Sequence, residues 1–128
     1  MSGACTTYET VSDLLVKELP ELSAAYVELL DDWKGEKPGP HVVYGTILNP
    51  FIDEKLREGD REALVRIFRF IESLLLCPDP RVADMASVEM CEHIVFSDKA
   101  IWDRARSFMG KATQKRCEEI RDWKPRSK

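Results

Sequence analysis

The amino-acid sequence predicts an all-α fold, a compact array of about seven short antiparallel helices with a helical hairpin at its centre. Three observations support this prediction. Apolar residues recur three and four positions apart along most of the chain, and no segment alternates with the period of two expected of a half-buried strand. Proline and glycine separate these periodic segments. With 128 residues, 44% of them hydrophobic, the chain has the size of a single domain, 1–128, with one core.

The predicted centre is the stretch from Asp60 to Phe96, two helices joined by Cys77-Pro78-Asp79-Pro80. An aspartate cap at Asp60 follows the helix-ending Gly59. The first helix is apolar around most of its circumference, so it must be covered on more than one side. Its apolar positions are Leu64, Val65, Ile67, Phe68, Phe70, Ile71, Leu74, Leu75 and Leu76, and the second helix, 82–95, is similar.

Three helices are predicted before this hairpin, and the first two lie in the first 34 residues. The motif Thr6-Thr7-Tyr8-Glu9 matches a capping box, which predicts a helix that starts there and ends at Pro20. Pro20 then opens a second helix. Its inward positions are Leu22, Tyr26, Leu29 and Trp33, and its exposed positions include Glu28, Asp31 and Asp32.

A loop with two prolines and two glycines, 35–40, precedes the next helical pattern. The apolar positions from His41 onward keep helical phase straight through Asn49-Pro50, which favours a kinked helix. The alternative is two short helices, with Asn49 capping the second and Pro50 at its first position.

Two further helices follow the hairpin. The sixth is capped by Ser97 or Asp98 and ends at Gly110, and the seventh runs from Lys111 to about Trp123. The inward positions of the sixth are Ile101, Trp102, Ala105, Phe108 and Met109. The termini, 1–5 and 124–128, are expected to fray.

The turn Asp79-Pro80-Arg81-Val82, with Ala86 four residues on, resembles the inner turn of a HEAT or armadillo-type repeat over residues 61–95. Only one such unit is present, whereas solenoids stack about three or more. The resemblance therefore implies a HEAT-like hairpin inside a compact array.

More broadly, segments 41–51, 70–74 and 107–110 resemble small uncharacterised bacterial helical proteins of the immunity-protein kind found in toxin systems. This second resemblance implies a protein-binding role and brings no active site with it.

The charges are divided between the two ends of the sequence. Residues 1–98 hold 9 Lys+Arg against 19 Asp+Glu, a charge of −10, and residues 99–128 hold 10 against 4, a charge of +6. An acidic surface steers encounters with basic partners. We therefore expect a non-enzymatic domain, immunity- or antitoxin-like, that binds a basic protein. The expected contacts are Glu28, Asp31, Asp32 and Glu36.

The alternative hypothesis is a regulatory or nucleic-acid-associated module that uses the basic segment 99–128. Aromatic residues interleave with its charges, as in nucleic-acid-binding segments. These aromatics also fit helical stripes, however, and the acidic remainder of the chain would repel phosphate. Nucleic acid is therefore the less favoured partner.

The sequence contains one candidate acid and imidazole pair, Glu89 and His93, four positions apart on a helix. A carboxylate that orients an imidazole is half of a catalytic arrangement, but no nucleophile accompanies it. We interpret it as a buried structural pair in which the histidine bonds to its own helix. Glu72 is interpreted as a carboxylate paired locally with Arg69.

No metal or cofactor is expected. Cys91 and His93, two positions apart, point to nearly opposite sides of a helix, and the chain lacks phosphate-binding glycine motifs. The four cysteines are scattered, which favours reduced thiols. No apolar run approaches the ~20 residues of a membrane span, and no signal peptide is recognisable. A cytoplasmic location is expected.

Overall fold

The computed structural model describes residues 6–123. This range contains seven helices and no strand, which confirms the all-α prediction. Two of the helices are composite, with a π-helical stretch in the middle of each. The helices are α1 (Val11–Glu18), α2 (Ser23–Asp32), α3 (Pro40–Val43, Tyr44–Leu48 and Asn49–Glu58), α4 (Arg61–Leu75), α5 (Pro80–Ala86, Ser87–Cys91 and Glu92–Val95), α6 (Lys99–Arg106) and α7 (Lys111–Trp123). The termini expected to fray lie outside the described residues.

Helices α4 and α5 form the predicted central hairpin. Asp60 caps α4 by accepting a hydrogen bond from the Ala63 amide (3.2 Å), and Asp79 caps α5 through the Arg81 amide (3.0 Å). Phe68 is 1% exposed in the middle of the core. Leu76, predicted to widen the apolar arc, is 66% exposed because α4 ends at the residue before it.

The capping box predicted at the amino terminus is wrong. Helix α1 begins at Val11, and its N-cap residue, Thr10, makes no capping bond with its side chain. The Glu9 carboxylate instead accepts two hydrogen bonds from the Arg81 guanidinium (2.9 and 3.1 Å). The Arg81 guanidinium offers this carboxylate two donors in a fork, where the backbone amide of a capping box would offer one, and a contact with α5 takes the place of the local one.

Residues 6–9 form a strap across the turn between α4 and α5. The Tyr8 amide donates to Asp79 (2.9 Å), and the Cys77 thiol donates to the Thr6 carbonyl (3.2 Å). The Arg81 guanidinium also lies over the Tyr8 ring, 5.2 Å from its centroid. Hydrogen bonds from the Arg81 side chain and then from the Tyr8 amide lower the pKa of Asp79 to about 2.

Helix α3 passes through Asn49-Pro50 without interruption, so the prediction of one continuous helix is confirmed and the two-helix alternative is wrong. The stretch Tyr44–Leu48 is π-helical, and the backbone N–H of Asn49 donates a hydrogen bond to the Tyr44 carbonyl, five residues back. Because Pro50 has no N–H and its ring needs room, the wider π turn accommodates it. The Asn49 side chain does not cap a helix and points toward α5.

Glu72 connects α4 to the start of α7, so the predicted local pairing with Arg69 is wrong. Its carboxylate accepts hydrogen bonds from the amides of Ala112 and Thr113 (both 2.9 Å) and from the Thr113 hydroxyl (2.7 Å). A Cβ atom at Gly110 would lie 2.5 to 2.9 Å from the carboxyl atoms of Glu72. Glycine therefore lets the carboxylate reach the exposed amides of α7.

Two predicted helix ends differ from the structure. Helix α6 is capped by Asp98, through the Ile101 amide (3.0 Å), but it ends at Arg106, before Gly110. Phe108 lies in the following turn and stacks on Phe68 with ring centroids 6.4 Å apart. Trp33, predicted to face inward, is 37% exposed just after the last residue of α2.

The cysteines that the structure describes are free thiols, as expected. Cys91 and Cys117 are fully buried, and Cys77 is half-buried. Among the helices within residues 6–123, none has the length and apolar character needed to cross a membrane.

Candidate functional site

The four carboxylates predicted to contact a partner are all exposed, and they lie on or just after α2. We call Glu28, Asp31, Asp32 and Glu36 the acidic face. Between residues 6 and 122, no ion pair engages any of them. Their negative charge is therefore uncompensated by the protein's own side chains.

The location of these carboxylates on α2 is unfavourable for the helix itself. Asp31 and Asp32 are its last two residues, and its last turn contains no basic residue. The carboxyl end of a helix carries a partial negative charge, which disfavours acidic side chains there. Glu28 and Asp32 are also four positions apart, so like charges face each other. The folded protein thus keeps an arrangement that lowers its own stability.

The turn after α2 brings Glu36 back toward the end of the helix. Lys34 and Gly35 adopt positive φ angles of 50° and 92°, and the Glu36 amide donates to the Trp33 carbonyl (3.0 Å). Pro38 and Pro40 are buried and anchor the rest of the loop. The acidic face therefore continues from the helix into an anchored loop.

Helix α2 itself leaves most of its surface uncovered. Only Tyr26 and Leu29 are buried in it, whereas Val27 is 65% exposed. An apolar side chain beside uncompensated carboxylates is a combination found in protein-binding surfaces, where an apolar centre has a polar rim.

The basic carboxyl-terminal segment differs, because most of its charges already have partners. Between residues 99 and 122 there are seven Lys and Arg side chains, of which five are engaged within the protein. Arg104 bonds to the Leu56 carbonyl and Arg121 lies over the Trp102 ring, while the others pair with acidic side chains. The five are Lys99, Arg104, Arg106, Arg116 and Arg121.

The structure also shows a cluster of polar residues, of which only two, Glu89 and His93, were singled out from the sequence. Along α3, the residues His41, Gly45, Asn49 and Asp53 occur at every fourth position and face α5, where they meet Glu89 and His93. We call these six residues the polar seam. Its signal in the sequence is this row of non-apolar residues at constant spacing, on a helix whose other positions follow an apolar stripe.

Glu89 and His93 belong to the polar seam, but each takes a partner from α3. Glu89 bonds to His41 Nδ1 (2.8 Å), and His93 Nε2 bonds to Asp53 (2.8 Å). The expectation that the two pair with each other, with His93 bonded to its own helix, is therefore wrong. Both histidines are also partly open to solvent, with side chains 40% and 33% exposed.

The π-helical stretches of α3 and α5 meet in the polar seam. A Cβ atom at Gly45 would lie 2.7 Å from Glu89 Oε1, so glycine makes room for that carboxylate. The Asn49 amide Nδ2 donates to the Glu89 backbone carbonyl (2.8 Å), which lies inside the π-helical stretch of α5. Asn49 thereby satisfies a carbonyl in a stretch where the regular helical bonding pattern changes.

The side chains around the two imidazoles of the polar seam decide which reactions it could support. A small cleft beside it is lined by Asp53, Arg57, Ser97, Asp98 and Ile101. The Ser97 hydroxyl donates to the His93 backbone carbonyl (3.0 Å), so it is not directed at the imidazole as a nucleophile would be. No cluster of three His, Cys, Asp or Glu side chains in the described part of the chain could hold a metal ion.

Fold and surface together define a small all-α protein with a helical hairpin at its core and an uncompensated acidic face. The chain belongs to the family described as "Domain of unknown function (DUF7674)", whose model matches residues 12–124. No curated protein and no solved structure matches the chain.

Proposed function

We propose that this protein is a non-enzymatic protein-binding domain whose acidic face contacts a basic partner. The immunity and antitoxin proteins of bacterial toxin systems would be functional parallels, because such proteins act by binding another protein. The free thiols fit a reducing compartment, and the proposal accordingly includes a cytoplasmic location.

The observation that carries the proposal is the location of Glu28, Asp31 and Asp32. They repel one another at the negative end of α2 and have no cationic partner within the described chain. Local arrangements that reduce stability are expected mainly at functional sites. Lysine or arginine side chains of a partner would remove both the mutual repulsion and the conflict with the helix dipole.

Nucleic acid remains the alternative partner, through the basic segment. The internal pairing of five basic side chains in that segment leaves fewer charges for phosphate. A phosphate-binding surface depends on the number of cations it can offer, so the same observation weighs against this alternative.

The test compares two variants with equal net charge. One is the acidic-face variant, Glu28→Gln, Asp31→Asn and Asp32→Asn. The matched control neutralises three exposed carboxylates elsewhere: Glu54→Gln, Glu62→Gln and Asp84→Asn. Each protein is immobilised and exposed to an extract of the native host at low salt, and captured proteins are identified by mass spectrometry. The expected partner is basic, and it is retained by the wild type and the control but lost by the acidic-face variant.

Association with the purified partner is then measured at two salt concentrations. The acidic-face variant is expected to associate about tenfold more slowly at low salt, with a smaller difference at high salt, because rim charges act mainly on the association rate. Equal rates for all three proteins would overturn the proposal. Improved binding of the acidic-face variant to a random DNA duplex, with an unchanged partner rate, would favour the nucleic-acid alternative.

A further inference from the structure

The strap, residues 6–9, fills a site that is built by the turn between α4 and α5. The turn offers the guanidinium of Arg81, the carboxylate of Asp79 and the thiol of Cys77. The strap contributes one side-chain carboxylate and two backbone groups, an N–H and a C=O. Because nearly every residue of any peptide carries these backbone groups, a segment of another chain could make the same contacts.

The site also holds an aromatic ring. The Tyr8 side chain is half-buried and packs against the hydrophobic core. The Arg81 guanidinium lies over this ring, 5.2 Å from its centroid, and the centroid of the His41 ring lies 6.3 Å away. A cation over an aromatic face is attracted to it electrostatically. Since Glu9 directly follows Tyr8, the site accepts an aromatic residue and then a carboxylate.

Arg81 is oriented by its own helix as well as by the strap. Its Nε and one terminal nitrogen donate to the Asp79 carboxylate (3.2 and 3.1 Å). These bonds do not involve the strap, so the guanidinium stays positioned for an incoming carboxylate when the strap lifts. A binding group that is already ordered loses less conformational freedom on binding, which favours affinity.

The strap can leave this site while α1 keeps its place. The side chains of Glu9 and Arg81 are 64% and 56% exposed, and exposed ion pairs contribute little to stability. Helix α1 has its own attachment directly after the strap. Val11 is fully buried, and its carbonyl accepts a hydrogen bond from the Tyr44 hydroxyl (2.7 Å).

We propose that the turn between α4 and α5 is a peptide-binding site, which the strap occupies in the free protein and from which an acidic segment of a partner protein displaces it. The segment has an aromatic residue directly before a glutamate, as Tyr8-Glu9 does in the strap. Its ring takes the place of Tyr8, and its carboxylate binds Arg81. This site differs from the acidic face in position and in the charge it selects, so it does not depend on the function proposed above.

The experiment uses the full chain, labelled with ¹⁵N, and a short probe peptide. The strap-opened variant combines Tyr8→Ala with Glu9→Gln and leaves every residue of the turn unchanged. The probe is the acetylated and amidated pentapeptide Thr-Thr-Tyr-Glu-Thr, the sequence of residues 6–10, and the control probe has Gln in place of Glu. Dissociation constants are measured from the NMR shifts of backbone amides in the turn.

The probe is expected to bind the strap-opened variant about tenfold more tightly than the wild type, because the wild-type strap competes as an intramolecular ligand. The control probe is expected to bind the variant about fivefold more weakly than the probe does, and adding Arg81→Gln is expected to remove this difference. Equal affinities for the wild type and the variant, or no binding to the variant, would overturn the proposal. Equal binding of the two probes to the variant would also overturn it.

Hydrogen exchange in the wild type tests the opening of the strap without a substitution. The Tyr8 amide hydrogen is expected to exchange at least about 100-fold faster than that of Phe68, because a local opening exposes the first and only a much larger one exposes the second. Exchange of both at the same rate would contradict the proposal. A wild-type dimer in sedimentation that the strap-opened variant does not form would assign the site to a second copy of this chain, and would overturn it too.

Discussion

Glu72 Oε1 accepts hydrogen bonds from both the backbone amide and the hydroxyl of Thr113, 41 positions further along the chain. The carboxylate thus acts as the N-cap of α7, although it comes from α4. An anionic group at a helix N-terminus also interacts favourably with the helix dipole. This contact fixes the first turn of α7 to α4.

Gly110→Ala is expected to destabilise the protein by about 1 to 3 kcal/mol, because the new methyl group would displace the Glu72 carboxylate from its hydrogen bonds. The matched control is Gly39→Ala, where a Cβ atom meets nothing within 4 Å. Urea unfolding measures both variants. In a Glu72→Ala background, Gly110→Ala is expected to cost little. An equal cost in both backgrounds would show that the carboxylate is not the cause.

Glu72→Gln is expected to remove part of the pH dependence of stability. Partial burial, the largest single influence, raises the pKa of Glu72, but the hydrogen bonds from Thr113 and Ala112 together outweigh it and lower the pKa. A carboxyl group with a lowered folded-state pKa stabilises the protein above its unfolded-state pKa, and this contribution is lost as the pH falls through the folded-state value.

Urea unfolding from pH 7 down to pH 3 is the measurement. The wild type is expected to lose more stability than Glu72→Gln over this range, so that the two curves converge in acid. Parallel curves would contradict the assignment of the carboxylate as the cap.

Phe68→Ala is expected to lower the free energy of unfolding by about 3 to 5 kcal/mol, through lost burial and a residual cavity. Phe68 is 1% exposed, whereas Leu76, on the same hairpin, is 66% exposed. Leu76→Ala is therefore the control, with an expected cost below about 1 kcal/mol. Similar losses for both variants, measured by chemical denaturation, would contradict the central position of Phe68.

Neutralising the acidic face is expected to stabilise the free protein. The variant with Glu28→Gln, Asp31→Asn and Asp32→Asn should gain roughly 1 kcal/mol, since it removes repulsion between neighbouring charges and the conflict with the helix end. The gain should shrink in 1 M salt, where surface charges are screened. The control variant with Glu54→Gln, Glu62→Gln and Asp84→Asn should show no gain. A loss of stability in the acidic-face variant would show that these carboxylates are already satisfied.

The central hairpin could be predicted because its determinants are local. Asp60 and Asp79 cap helices whose amides lie only two or three residues away, and the apolar period around Phe68 is continuous. The exposure of the acidic residues on α2 could also be predicted, because their positions along the helix place them away from the side that carries Tyr26 and Leu29. In each case, the residues that decide the structure lie within a few turns of one another.

The roles of Glu72, Glu89 and His93 could not be predicted in this way, because their partners lie some 40 residues away in sequence. Local pairing with a residue three or four positions away was the natural interpretation of each. In the folded protein, helices that are distant in sequence pack together, and they supply the hydrogen-bond partners of these three side chains. The regular row from His41 to Asp53 was the available signal, and it indicates a polar face toward a neighbouring helix without saying which helix.

The strap formed by residues 6–9 can bind its partners only after a long stretch of the chain has been synthesised. Its contacts with the turn at Asp79 and Arg81 join residues 71 and 72 positions apart. At a synthesis rate of 5–20 residues per second, residues 6–9 are made roughly 4 to 14 s before these partners. The strap therefore stays unbound during synthesis until the turn between α4 and α5 has been made.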